Sequence, residues 1–347
     1  MKRRDVLRAG AGLVAAGGLA GCGALQSQSL EQPPLVENRP NAVYVPSHVE
    51  GMVMAGMQEA GDRMVGLFFS YAHRFWTVTG GEATLVDIDE DDTIHLMASV
   101  WDPETGTVLA TDSGLGIEVR QDGERVDQRD PWAMLSQNMG FHFGDNITLP
   151  GDGLYDVTVE TGGVSLDRRG EFEGRFGDSV SAEFELDYSS RRRDGISYTT
   201  LDDRKGYRGA VDRMSMDMPL SVAPAEGDLP GDVIGSGTSG DARLVVTRTP
   251  TDEGTYLAVS ARTPYNRFVL PMMLLAVTVR RDGEIIADTD LTAAIDPERS
   301  THYGTTVDSL QSGDEVTVDV VTAPTVSRHE GYETAFLDMD PVTVTVE

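Results

Sequence analysis

Residues 119–144, VRQDGERVDQRDPWAMLSQNMGFHFG, decide the fold, because the chain writes the same pattern a second time. At 279–304 it reads VRRDGEIIADTDLTAAIDPERSTHYG, so V-R-x-D-G-E recurs and a histidine follows each glycine by nineteen residues: His142 after Gly123 and His302 after Gly283. An Asp-Gly pair between β-type residues signals a hairpin turn. A shared turn alone is common. A shared turn with equal spacing to H-[FY]-G marks an internal repeat. Upstream, His95-Leu96-Met97 falls against Tyr256-Leu257-Ala258, one residue out of step.

Outward from this stretch the pattern stays β-type. Short runs rich in branched and aromatic residues stand at 43–45, 65–71, 75–78, 83–86, 93–101, 116–120, 147–149, 154–160 and 182–188. Asp/Gly-rich turns separate several of them, including 89–92, 121–123 and a Gly-Asp-Gly hairpin turn within 150–153. His142 to Asn146, H-F-G-D-N, reads as a further turn. Many short strands without a helical period predict an all-β chain of two tandem immunoglobulin-like β-sandwich domains. The first sandwich is expected over 43–190 and the second over 242–347. Between them 191–241, polar and rich in Pro, Gly and Ser, reads as a linker, although Met214, Met216 and Met218 alternate as a strand would.

The N-terminus carries Arg3-Arg4, an apolar Ala/Gly-rich run and Leu19-Ala20-Gly21-Cys22. This composite predicts a twin-arginine lipoprotein signal peptide over 1–21, with Cys22 as the lipid-anchored first residue of the mature chain. Residues 22–42 read as a flexible tether. The expected location is therefore the extracytoplasmic face of the cell membrane. Cys22 is the single cysteine, so no intramolecular disulfide is available.

Net charge is −29 with a pI near 4.4, and Lys2 and Lys205 are the only lysines. That excludes nucleic acid as a natural partner, since phosphate recognition needs basic surface. It fits a protein kept soluble in strong salt, which predicts a halophilic source.

Chemistry concentrates where Met134, Met139 and His142 lie within nine residues, and where His95 and Met97 share one face of a strand. Imidazole suits copper, zinc or iron(II), and thioether sulfur favours copper(I). The second copy has Ala294 and Arg299 in place of Met134 and Met139, so the metal site is expected in the first copy, and the second is read as degenerate. Met52, Met54, Met57 and Met64 read as core filler, and His48 and His73 as ordinary surface or turn residues. G-x-S-x-G, H-E-x-x-H and P-loop patterns are missing, which argues against an enzyme. A cupredoxin-like redox site would need a cysteine thiolate.

The runs HLMAS at 95–99 and 134–149 resemble the periplasmic ferrous-iron transport lipoproteins of bacteria, whose motifs read roughly H-L-E-A-D and M…H-Y-G-x-N-x-x-L. The resemblance covers about residues 45–190. It implies an immunoglobulin-type sandwich that binds copper, assists a membrane ferrous-iron permease and often forms a homodimer. Met134 and His142 would be ligands, and Met97 would stand where the family has glutamate. The family's later R-H-x-D histidine has no counterpart at Arg168-Arg169. The expected metal set is thus His95, Met97, Met134, Met139 and His142, holding copper or iron(II). The alternative is a non-catalytic cell-surface interaction protein whose histidines are structural.

Overall fold

The protein is described by a computed structural model over residues 33–347. The twin-arginine segment, Cys22 and most of the expected tether lie outside the described residues. In chain order the first half contributes β1 (His48–Glu50), β2 (Val53–Ala60), β3 (Arg63–Ser70), β4 (Phe75–Thr79), β5 (Glu82–Val86), β6 (Ile94–Trp101), β7 (Gly116–Gln121), β8 (Glu124–Arg129), β9 (Trp132–Ser136), β10 (Gly140–Ile147), β11 (Gly153–Thr161), β12 (Asp167–Arg168), β13 (Val180–Tyr188) and β14 (Tyr198–Thr200). The second half contributes β15 (Asp232–Ser239), β16 (Ala242–Thr251), β17 (Gly254–Arg262), β18 (Leu274–Arg281), β19 (Glu284–Asp296), β20 (Ser300–Val307), β21 (Glu315–Thr322), β22 (Ser327–Arg328) and β23 (Val342–Thr345). The all-β reading holds. No helix among the described residues is long and apolar enough to cross a membrane.

In the first module a front sheet ordered β2-β3-β6-β10-β9-β22-β4-β5 packs on a back sheet ordered β13-β11-β7-β8. The back strands β11 and β13 alternate buried and exposed residues, as one-sided burial demands. Between the sheets Leu96 and Ile147 meet Ile117 and Val119. Because side chains alternate along a strand, His95, Met97 and Ser99 must then point away from this core, to the outer face of the front sheet. That face is buried too: every residue of β6 is enclosed. Something must cover it, and the second half of the chain supplies part of the cover.

The second module repeats the first apart from the β4–β5 hairpin, which has no counterpart between β16 and β17. β15, β16 and β17 run edge to centre as β2, β3 and β6 do, and β18, β20, β21 and β23 follow β7, β10, β11 and β13. The thirteen-residue β19 takes the place of β8 and β9 together, pairing first with β18 and then with β20. In the first module Pro131, which lacks an N–H, separates the two halves of that element. Both repeat turns are built alike. Asp122 and Gly123 have φ of 52° and 81°, and Asp282 and Gly283 have 51° and 83°. Two successive left-handed residues are what a type I′ hairpin needs, and Asp-Gly tolerates them.

Two sequence expectations need correction. His142 to Asn146 is not a turn but the middle of β10. Glycine is needed there for another reason: a Cβ on Gly144 would come within 2.5 Å of His95 Nε2. The Gly-Asp-Gly stretch after it is no hairpin, since it carries the chain from the front sheet to the back sheet.

The segment 191–241 packs rather than spans. β14 pairs with β1, β15 is the edge of the second module's sheet, and Val211, Met218 and Ala223 are buried. Met214 to Met218 run without strand structure.

The modules interlock by exchanging loops. The loop between β21 and β23 of the second module sends β22 alongside β9, pairing Ser327 with Met134 and Arg328 with Leu135. Reciprocally, the loop between β11 and β13 of the first module sends β12 alongside β19, pairing Asp167 with Ala294 and Arg168 with Ile295. Both additions are parallel, and both land at the same place in the repeat. A buried arginine anchors the larger loop: the Arg328 guanidinium donates to the carbonyls of Pro324 (2.8 Å), Tyr332 (3.4 Å), Phe336 (3.3 Å) and Ala335. Burial pushes its pKa down to about 9.

Candidate metal centre

On the covered face the exchanged loop completes a cluster of imidazoles. His95 of β6 and His73, from the connection between β3 and β4, have ring centroids 4.0 Å apart. His329, the residue after β22, lies 4.7 Å from His73 and 5.7 Å from His95. His142 of β10 lies 5.1 Å from His329. One nitrogen from each of His73, His95 and His329 falls within 4.8 Å of the others, a spacing that a single metal ion could bridge.

Hydrogen bonds fix how the rings present themselves. His142 Nδ1 donates to the Gly140 carbonyl (3.0 Å), and His95 Nδ1 donates to Asn146 Oδ1 (2.8 Å). Asn146 is held in that sense because its amide donates to the His73 carbonyl (3.0 Å). His73 Nδ1 donates to the Tyr71 carbonyl (3.0 Å) and lies 2.6 Å from Glu50 Oε1. Since a carbonyl only accepts, these Nδ1 atoms carry the proton, and in the neutral ring the lone pair sits on Nε2. The Nε2 atoms of His73, His95, His142 and His329 are all buried and all without a protein partner. For His73, His95 and His142 these are unsatisfied acceptors, costly unless a ligand takes them. An outer carbonyl, amide or carboxylate on Nδ1 that leaves Nε2 free is the arrangement by which proteins orient metal-binding histidines. This donor set fits copper, zinc or iron(II) and does not suit magnesium or calcium.

Burial also keeps His95, His142 and His329 unprotonated. It pushes His142 down to about 4, and His95 and His329 well below the usual imidazole range, the neighbouring rings adding to the effect. An unfolded chain takes up these protons near pH ~6.5. The native state binds fewer protons than the unfolded one between those values, so stability is full above about pH 6.5 and declines as the pH falls towards 4. For the metal-free chain the urea midpoint is expected to drop from pH 7 to pH 5. Each such histidine contributes roughly 1.4 kcal/mol per pH unit.

The expected site residues are placed as follows. His95 and His142 belong to the cluster. Met134 is the cross-strand partner of His142, and Met97, opposite Gly144, shares the face of His95; both are buried there. Met139 is buried in the turn between β9 and β10, off the strands that carry the two histidines. His73, expected to be an ordinary turn residue, stands at the centre, because the chain leaving β3 folds back over β6. His329 was absent from the expected set. Its sequence signal is Arg328-His329, which occupies in the second copy the place of Arg168-Arg169 in the first.

Above the imidazoles lies the β1–β14 ribbon. Its His48 stacks on Tyr198 at 4.8 Å, and its Glu50 reaches His73. Ser47 Oγ donates to Glu330 Oε2 at 2.5 Å, tying the ribbon to the residue next to His329. Tyr44 and Gln137 hold the same loop through Gly331 and Glu333.

A family described as a domain of unknown function (DUF7350) matches residues 227–345, the second module. No curated protein matches the chain. Among solved structures, a copper-bound variant of FetP from uropathogenic Escherichia coli strain F11 is 16% identical, covering 40% of this chain and 97% of that one with a TM-score of 0.29. FetP of the same strain as isolated is 15% identical, covering 41% and 96% with a TM-score of 0.28. What the site can do is therefore carried by its own side chains.

Proposed function

We propose that the chain is a metal-binding protein that holds one copper ion, or in its place iron(II), on His73, His95, His142 and His329, with the thioethers of Met134 and Met97 beside them. The observation that carries this reading is a cluster of four imidazole rings whose buried Nε2 atoms have no protein partner, three of the rings offering nitrogens within 4.8 Å of one another. Copper ranks first because nitrogen donors bind it most tightly among the first-row divalent ions, and nearby sulfur favours its reduced form. All four ligands are protein groups on packed elements, so the site is built to hold an ion rather than to turn over a substrate. The protein would not be an enzyme.

The sequence features outside the described residues extend the reading. Exported by the twin-arginine route and anchored through lipid on Cys22, the protein would present the metal at the outer face of the membrane. It would there serve a ferrous-iron permease. A homodimer is a further proposed assembly.

The test is metal uptake by the purified chain. Wild type is expected to take up one equivalent of copper in competition with a chromogenic chelator, and the His95→Ala, His142→Ala double variant none. Equal uptake by both, with a normal melting temperature, would remove the site from the proposal.

A further inference from the structure

The second module keeps the place of the imidazole cluster but none of its free donors. Register puts Tyr256 where His95 stands, Ala258 where Met97 stands and Ala294 where Met134 stands. Arg169 follows β12 as His329 follows β22, and Arg299 precedes His302 by the spacing of Met139 to His142. Of the imidazoles only His302 remains, and its Nε2 is already bonded to the Tyr256 hydroxyl at 3.0 Å. The equivalent position is occupied by guanidinium, phenol and hydroxyl groups.

Beside it opens a cavity of about 560 Å³, lined by Arg169, Arg299, Tyr256 and Thr249, with Glu171 and Glu298. The Arg169 guanidinium stacks 4.1 Å from the Tyr256 ring centroid, and that of Arg299 lies 5.8 Å from it. Arg299 is only 9% exposed, and Asp296 (3.1 Å) and Thr249 (3.0 Å) hold it, yet its buried Nε has no partner. Two fixed guanidinium groups at one ring are receptors for the fork of a carboxylate. Asp296 offsets part of the charge of Arg299 and Asp167, 2.9 Å from Arg169, part of that of Arg169, while Glu171 and Glu298 repel a polyanion. A ligand that carries its own cation meets both signs.

We propose that this cavity binds a small amino-acid-type zwitterion, its carboxylate on Arg169 and Arg299 and its ammonium towards Glu171 and Glu298. The proposal stands independently of the metal reading. It is tested by calorimetric titration of the metal-free full-length chain with glycine, leucine and glutamine, and with 4-methylpentanoate and inorganic phosphate as arms lacking the ammonium group. At least one amino acid is expected to bind, and 4-methylpentanoate and phosphate to bind at least about tenfold more weakly than it does. Arg169→Ala, at a side chain 38% exposed and so tolerant of change, is expected to abolish that binding while copper uptake stays at wild-type level. Glu298→Gln is expected to weaken the amino acid and not the carboxylate. No binding by any of the three amino acids, phosphate binding as tight as theirs, or undiminished binding in Arg169→Ala overturns the proposal.

Discussion

Replacing His329 by alanine is expected to lower copper affinity by at least ~100-fold, beyond the effect of losing a mere outer-shell partner, while leaving the melting temperature of the metal-free chain close to wild type. His329 as a residue is partly exposed and its buried Nε2 makes no protein bond, so its removal breaks no hydrogen bond at that atom. A competition titration beside a thermal melt separates the two quantities. The outcome bears on more than one ligand, because His329 is the only ring of the cluster that comes from the second module. Unchanged affinity would mean that the first module binds metal by itself and that the exchanged loop is only a cover.

Arg328, one residue earlier, should behave in the opposite way. Its guanidinium reaches the carbonyls of Pro324, Tyr332, Ala335 and Phe336 and has no exposed surface. Arg328→Met keeps bulk but leaves those carbonyls without their donor, each at about 1–3 kcal/mol when buried. Desolvating the cation already costs the wild type something, as its lowered pKa records, so part of the loss is returned. A net destabilisation on the order of 3 kcal/mol is expected from urea unfolding. Copper affinity should fall with it, because β22 no longer holds His329 beside β9. A variant that lost stability yet bound copper normally would show that the loop's position does not depend on this arginine.

The fold was largely legible because a repeat needs only local signals. Asp-Gly turns at 122–123 and 282–283, with equal spacing to His142 and His302, gave two β modules before any contact was known. Register then confirmed Met134 against Ala294 as equivalent positions. The candidate site was legible only in half. His95 and His142 sit on adjacent strands of one module, so alternation and spacing find them. His73 enters by the path of an irregular loop, and His329 arrives from 187 residues beyond His142 through a parallel addition no local pattern announces. The same blindness turned His142 to Asn146 into a turn. Gly144 and Asn146 are turn-forming residues by composition, but here one clears space for the His95 ring and the other holds it.

The reciprocal crossing of the two loops has a practical corollary. A fragment ending near residue 190, the natural place to cut for expression, would carry three of the four imidazoles with nothing to close over them. The complementary piece would keep His329 but lack Arg169. Mixed together, the two polypeptides would each supply what the other lacks, so copper retention by the mixture, and by neither alone, is how this interdependence would express itself at the bench.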